Sequence, residues 1–223
     1  MKKLFIILVA VLPFMASAQD ENESAITIGI SGGFDKGINA YRQYPNKEGN
    51  TFSSSDPNYN IALDFGILAS PKLRPRVELR YVQMAYTADW LNTTDNGLLE
   101  ETKVKLYNFD INFHLDYLLL NSSKFQIYAS PVLKWEFNLD REFKNTNLDG
   151  THNYKQYNDI YAENPKNVLG GGASVILKYN LNKYLGITLT PEYTVFFREF
   201  VKANDKIYQR TSVNLGLEFK FGY

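Results

Sequence analysis

Hydrophobic and polar residues alternate along much of this chain, most clearly over residues 105–117. When this stretch is extended, one face is aromatic or aliphatic and the other is polar or charged. On a helix, the same residues would be scattered around the whole circumference. The pattern therefore predicts a β-strand with two unlike faces. It leaves open which face points inward.

The same alternation recurs in seven further segments, giving eight predicted strands in all. They cover residues 25–34, 59–69, 76–88, 103–118, 124–137, 167–179, 184–197 and 209–223. Strands of this kind are long enough to cross a bilayer at a tilt of about 45°. Gly170, Gly171 and Gly172 make one strand irregular, and we expect them where a barrel wall bends sharply. Pro131 predicts a local weakening of the hydrogen-bond ladder.

The connections between these strands are alternately long and short. The short connections cover 70–75, 121–123 and 180–183, and the long ones cover 35–58, 89–102, 138–166 and 198–208. All short turns therefore fall on one side, together with both ends of the chain. This alternation of long and short connections predicts an all-β fold. The expected architecture is an antiparallel up-and-down transmembrane β-barrel with tight periplasmic turns and long extracellular loops.

The N-terminus has the three parts of a secretory signal peptide. Lys2 and Lys3 precede an apolar run over residues 4–14, and small residues at 16–18 precede Gln19. The apolar run is too short to span a bilayer as a helix. We expect residues 1–18 to be a signal peptide cleaved between Ala18 and Gln19. Residues 19–223 then form a single domain.

The amino-acid composition argues against several classes of function. Lysine and arginine total 24, as do aspartate and glutamate, so no electrostatic argument exists for nucleic acid. The aromatic share of 15% suits sheets and the boundary between water and lipid. Cysteine is absent, which excludes disulfides, thiolate chemistry and a lipid-modified cysteine after the signal. We expect no cofactor.

Alternation alone does not orient the wall of the barrel. A soluble lipocalin-like barrel turns its apolar face inward around an apolar ligand, whereas an outer-membrane barrel turns it outward. Here the apolar face is bulky on nearly every strand, and so many rings would overfill a small barrel. The first predicted strand also lacks the Gly-x-Trp sequence of soluble barrels. These features favour the membrane orientation, with the soluble barrel as the alternative.

The C-terminal stretch VNLGLEFKFGY, residues 213–223, resembles the last strand of bacterial outer-membrane β-barrels. The resemblance implies that Phe219, Phe221 and Tyr223 form a signal for the barrel-assembly machinery. The layout of the chain and the Gln after the cleavage site are similar to small outer-membrane barrels of the PorT-like group of Bacteroidetes-type bacteria. This resemblance implies a location in the bacterial outer membrane, in contact with its lipid and lipopolysaccharide. It implies no particular activity.

With the apolar face outward, the polar face fills the lumen, which in an eight-stranded barrel is just wide enough for side chains. We expect the charges there to form a paired network, because an unpaired buried charge is costly. The predicted lumen network contains Asp64, Arg76, Glu78, Arg80, Asp110, His114, Asp116, Glu192 and Glu218. Further charges of the same face are Lys134, Glu136, Lys178 and Lys220. Such a plug predicts that no open pore runs through the barrel.

His114 raises an enzymatic alternative, an outer-membrane lipid-modifying enzyme. Such a site needs a serine and a carboxylate beside the histidine. The one Gly-x-Ser-x-Gly sequence, GISGG at residues 29–33, lies inside a predicted strand and not at a turn from a strand into a helix, and the other serines lie mostly in predicted loops. We therefore expect His114 to be a hydrogen-bonded member of the lumen network, with no catalytic residues. The other histidine, His152, has no partner at metal-ligand spacing, so no metal site is expected.

The long loops are the predicted place for binding. Residues 153–161, NYKQYNDIY, carry tyrosines, which supply amphipathic contact area at low entropic cost. The alternative is a solvated loop whose tyrosines pack on one another. The expected function is that of an integral outer-membrane barrel with a plugged polar lumen, which has a structural role or binds an extracellular ligand through its loops, without catalysis.

Overall fold

The computed structural model describes residues 25–38, 52–53, 58–89, 99–147, 152–154, 167–197 and 209–222. Eight long antiparallel strands make up most of them: β1 (Ile26–Ile38), β2 (Tyr59–Ile67), β3 (Leu73–Asp89), β4 (Leu99–Asn121), β5 (Phe125–Asn147), β6 (Asn167–Asn180), β7 (Leu185–Phe196) and β8 (Gln209–Phe221). Two short strands, Phe52–Ser53 and His152–Tyr154, pair with β3 and β5. None of the described residues forms a helix with the length and apolarity that crossing a membrane requires.

The eight strands close into a barrel. Each strand pairs with the next one along the chain. β8 returns to pair with β1 along its whole length, from Ile26 opposite Phe221 to Ile38 opposite Gln209. Closure leaves no free sheet edge, which is the condition for a β-structure to sit in lipid. The predicted up-and-down barrel is confirmed.

One end of the barrel carries the three short turns and the two ends of the described chain. Backbone hydrogen bonds join neighbouring turns and termini at this end. The Leu68 N–H donates to Ala25 O at 2.8 Å, and the Lys220 N–H donates to Tyr184 O at 2.8 Å. The long connections all leave from the opposite end. In outer-membrane barrels the short turns lie on the periplasmic side, so the opposite end is the extracellular one.

The apolar face of the wall points outward. Leu215 on β8 is 61% exposed and Ile26 on β1 is 53% exposed, whereas Arg80 and Asp116 are fully buried in the interior. A soluble barrel around an apolar ligand requires the reverse arrangement. A continuous apolar surface of this size is stable only against lipid or another apolar surface.

Several strands are longer than the alternation predicts. β1 continues to Ile38, β4 begins at Leu99 and β5 ends at Asn147, so parts of the predicted loops 35–58, 89–102 and 138–166 are strand. Beyond the bilayer both strand faces meet water, and the ladder continues without apolar alternation. A register shift beside Asn108 also breaks the period of two along β5.

Three prolines lie in the wall of the barrel, Pro75, Pro131 and Pro191. Pro75, which falls in the predicted turn 70–75, belongs to β3, but the ladder with β2 begins only at Arg76. Its missing N–H therefore removes no bond to β2. Pro131 pairs with Ala173 of β6, while the ladder with β4 is interrupted at Pro131 and resumes in the same register. The predicted local weakening is thus present, without a bulge at this point.

Candidate functional site

The polar faces of the eight strands meet in the lumen, which is the candidate site. The structure turns all nine residues of the predicted lumen network inward: Asp64, Arg76, Glu78, Arg80, Asp110, His114, Asp116, Glu192 and Glu218. Eight of them are buried, and Asp64 is partly exposed. The period of two on each strand brings them together, because alternate residues share a face.

The cluster nearest the periplasmic turns is built around the guanidinium of Arg74. Its Nη2 lies 2.8 Å from Asp116 Oδ2, and its Nη1 lies 2.5 Å from Glu218 Oε2. Glu218 also binds Lys178 at 2.6 Å, and the ring of Tyr128 lies beneath the guanidinium at 4.7 Å. The same cluster includes the ion pairs of Arg76 with Asp64 and Asp116. Each charged group of this cluster therefore has a partner of opposite charge near the periplasmic turns.

The central cluster links β3 to β7 across the lumen through Arg80. The Arg80 Nε lies 2.6 Å from Glu78 Oε1, and its Nη2 lies 3.2 Å from Glu192 Oε2. Lys134 Nζ binds Glu192 Oε1 at 2.5 Å, and the Asn112 side-chain amide donates to Glu78 Oε1 at 2.5 Å. Charge-assisted bonds of this kind are stronger than hydrogen bonds between neutral groups.

The cluster nearest the loops is built around Arg210 of β8. Arg210 Nη1 lies 2.5 Å from Glu136 Oε2, and Nη2 forms an ion pair with Asp110. Asp35 of β1 lies 3.6 Å from Arg210 Nε and accepts a hydrogen bond from the Asn60 side chain. The three clusters together cross-link most of the strands from within.

Sequence reasoning missed three members of this network, Asp35, Arg74 and Arg210. Asp35 and Arg74 fell in predicted connections, and Arg210 lies next to a predicted strand end. Each of them continues the inward parity of its strand by one step, from Ser31 through Gly33, from Arg76 and from Ser212. Extending the period of two beyond the predicted strands 25–34 and 76–88 would have identified Asp35 and Arg74, whereas Arg210 already lies within the predicted strand 209–223.

Carboxylates outnumber cations in the ion pairs of the described lumen. Six cations take part, namely Arg74, Arg76, Arg80, Lys134, Lys178 and Arg210. Eight carboxylates take part, namely Asp35, Asp64, Glu78, Asp110, Asp116, Glu136, Glu192 and Glu218. With all of them ionised, the difference of six and eight leaves two negative charges in a closed interior.

His114 lies between Ser130 and Glu78. Ser130 Oγ is 3.4 Å from His114 Nδ1, and Glu78 Oε2 is 4.0 Å from His114 Nε2. The three come from neighbouring strands, so strand pairing brings together residues that no sequence motif connects. Ser130 is only 2% exposed.

Two further features of the lumen bear on ligands. Glu78, His114 and Glu192 each offer one metal-ligating atom, and these atoms lie within 4.8 Å of one another. A cavity bordered by Asp64, Arg76 and Glu218 has a volume of about 20 Å³ for the centres of water molecules. That volume holds about one water molecule.

The remaining predicted residues lie on the wall or outside the described residues. Phe219 and Phe221 point outward from β8 and pair with Ile28 and Ile26 of β1. Tyr223 and the predicted cleavage site at Ala18 and Gln19 lie outside the described residues, as does the tyrosine-rich loop except for its first two residues.

Comparison with known proteins agrees with this architecture. Residues 17–167, more than half of the chain, match the family model described as outer membrane protein beta-barrel domain. A search of curated proteins finds no sequence match. The structure is similar to a major outer membrane protein from Thermus thermophilus, with 10% identity, a TM-score of 0.53, and coverage of 90% of this chain and 100% of that one. At this identity the likeness shows the fold alone.

Two further solved structures have the same kind of similarity. Neisserial surface protein A has 14% identity and a TM-score of 0.46, with coverage of 90% of this chain and 100% of that one. The outer membrane protein OprG from Pseudomonas aeruginosa has 15% identity and a TM-score of 0.45, with coverage of 89% and 95%. On the family match, together with the closed barrel and its outward apolar face, this chain belongs to the outer membrane protein beta-barrel domain family and is an integral β-barrel of the bacterial outer membrane.

Proposed function

We propose that this protein is a non-catalytic barrel that stabilises the outer membrane or presents its long loops to an extracellular ligand. The observation that carries the proposal is the filled lumen. Ion pairs cross it at three levels, from Arg74 near the turns, through Arg80, to Arg210 near the loops. A solute would have to break several buried ion pairs to pass, and removing one partner of such a pair costs about 3–5 kcal/mol.

The loop end supports a role in presentation. β4 and β5 have 23 residues each, whereas about 9–11 tilted residues cross a bilayer. The two short strands, Phe52–Ser53 and His152–Tyr154, pair with β3 and β5 on the same side. The wall therefore continues beyond the membrane on one side of the barrel. Binding residues are commonly carried by loops held on such a rigid scaffold.

The narrower assignment to the PorT-like group of Bacteroidetes-type barrels forms part of this proposal. Its support is the Gln after the predicted cleavage site and the alternating last strand. We propose the outer-membrane lipid and lipopolysaccharide as the surroundings of the apolar wall. We further propose that the barrel-assembly machinery recognises Phe219, Phe221 and Tyr223.

Electrical recording tests the filled lumen. In planar lipid bilayers, the purified barrel should give no regular conductance steps, while a general porin added to the same bilayer should give them. Steps of uniform size from the barrel alone would refute the plug and favour a channel.

Lipid analysis tests the absence of catalysis. Lipid A from a deletion strain should match that from cells expressing the wild type, Ser130→Ala or His114→Ala. The reason is that Ser130 and His114 are enclosed in the lumen. A lipid A change that depends on the wild-type gene and disappears in Ser130→Ala would instead identify an enzyme.

A further inference from the structure

Glu78, His114 and Glu192 converge in the middle of the lumen from three different strands. His114 of β4 lies next to Glu78 of β3, and Glu192 comes from β7 on the opposite side of the barrel. One ligating atom of each residue lies within 4.8 Å of those of the other two, and all three residues are buried. An imidazole nitrogen with two carboxylate oxygens is a donor set found at zinc sites.

The hydrogen bonds of Ser130 determine which nitrogen of His114 can bind a cation. Ser130 Oγ donates to Pro131 O at 3.3 Å and lies 3.4 Å from His114 Nδ1. When the hydroxyl donates its one hydrogen to Pro131 O, its oxygen accepts from Nδ1–H. The lone pair of the ring is then on Nε2. An outer hydrogen bond that fixes the tautomer in this way is typical of metal-bound histidines.

Nε2 is the atom that the protein leaves without a partner. It is buried and has no hydrogen-bond partner within the part of the chain that the structure describes. Its nearest ionic neighbour is Glu78 Oε2 at 4.0 Å. A lone pair that faces a carboxylate in a dry interior is unfavourable unless a cation or a proton lies between them.

Glu78 has capacity for a further ligand on one of its two carboxylate oxygens. Glu78 Oε1 accepts the bonds from Arg80 and Asn112. Glu78 Oε2 lies 3.6 Å from Arg76 Nη1 and 4.0 Å from His114 Nε2, both beyond hydrogen-bond distance. Among the described residues, the ion pairs of the lumen contain two more carboxylates than cations. One divalent cation would balance this difference.

We propose that the lumen binds one divalent transition-metal ion, zinc by its ligand chemistry, through His114 Nε2 and one carboxylate oxygen each of Glu78 and Glu192. Magnesium and calcium prefer all-oxygen sites, whereas an imidazole nitrogen favours zinc and its neighbours. Zinc bonds to nitrogen and oxygen are about 2.0–2.2 Å long. The three side chains therefore move closer to one another when the ion binds. The bound ion ties β3 and β4 to β7 and has a structural role.

Zinc content tests this site. The barrel is refolded from urea into detergent micelles with zinc chloride, because the filled lumen admits the ion most readily during folding. After desalting, metal is measured by mass spectrometry and folding by the gel shift between unheated and boiled samples. We expect about one zinc per folded wild-type barrel, held by three protein ligands, and a higher unfolding temperature than after refolding with magnesium chloride.

The chain offers a matched control, because it contains two histidines. His114→Gln should abolish stoichiometric zinc binding, whereas His152→Gln, which alters the other histidine of the chain, should retain it. X-ray absorption at the zinc edge keeps the test decisive if His114→Gln fails to fold, since the wild type alone should show one imidazole and oxygen ligands. Wild-type barrel without zinc, or a zinc signal that lacks imidazole or follows His152, would overturn the proposal.

Discussion

At the scale of single residues, Arg210 shows how ion pairs hold the interior of the barrel together. Its guanidinium is buried and has ion pairs with Glu136, Asp110 and Asp35, each from a different strand. Removing charges from water is costly, and the cost is repaid only when every charge has close partners of opposite sign. A single cation here therefore holds three carboxylates in place.

Replacing Arg210 with Met should lower the free energy of unfolding by about 3–5 kcal/mol, because the carboxylates remain buried with too few cations. Urea unfolding in detergent micelles measures the change. Lys124→Met, which removes an exposed cation in a turn, should shift the free energy of unfolding by less than about 0.5 kcal/mol. Equal effects from the two variants would show that the lumen charges do not stabilise the barrel.

Gly172 provides a second residue-scale prediction. A methyl group at this position would overlap the carbonyl oxygen of Tyr193 on β7, whereas at Gly32 the nearest atom, Asn60 O, would lie at 3.5 Å, an ordinary contact. Gly172→Ala should destabilise the barrel by about 1–3 kcal/mol or prevent folding, as overpacking does. Gly32→Ala should fold normally. Thermal unfolding, followed by the gel shift, compares the two, and a stable Gly172→Ala barrel would argue against this close strand approach.

The membership of the lumen could be predicted from the sequence, but its pairing could not. Parity alone assigned Glu78, His114 and Glu192 to the inner face. Which of them meet depends on strand register and on side chains that reach across the barrel, and neither is encoded in local spacing. For the same reason the approach of Ser130 to His114 was not foreseen.

At the scale of elements, β8 illustrates the apolar outer face and the polar inner face of the barrel wall. Val213, Leu215 and Leu217 point outward, while Ser212, Asn214 and Glu218 point inward. The outward residues contribute to stability only if lipid covers them. In water the same surface would be a liability for aggregation.

A charge placed at the middle of β8 tests whether lipid is present there. Leu215→Arg should destabilise the barrel in lipid vesicles by about 2–4 kcal/mol, the cost of a basic residue near the bilayer midplane. Leu181→Arg, at an exposed leucine of a turn, should cost about 0–1 kcal/mol. Unfolding in urea with vesicles gives both values. A Leu215→Arg barrel as stable as the wild type would place this face in water.

The strands themselves were predictable, whereas their ends were not. All eight predicted segments overlap the observed strands, since alternation is strong wherever one face meets lipid and the other meets the lumen. The signal disappears where β4 and β5 leave the bilayer, because both faces are then solvated while backbone pairing continues. Pro75 was assigned to a turn because proline is rare in strands. It is accommodated because the ladder with β2 starts one residue later.

At the scale of the whole molecule, the barrel must accommodate both charged side chains and large rings, although its lumen is narrow. Most rings and aliphatic side chains face outward, while the charges pair inside beside a few buried apolar residues such as Leu106 and Phe196. No individual strand could reveal this orientation, because a single alternating strand fits a soluble barrel equally well. The eight strands taken together decide the orientation of the wall, since a lumen of this size cannot hold so many large apolar residues.

The most direct test of the account is cell fractionation combined with heat modifiability. The mature chain should separate with the outer membrane and leave it only with detergent. An unheated sample should also migrate at a different position from a boiled one on a denaturing gel, because the closed barrel resists detergent until it is heated. A chain that appears in the soluble fraction without detergent, and that migrates identically before and after boiling, would contradict the transmembrane barrel.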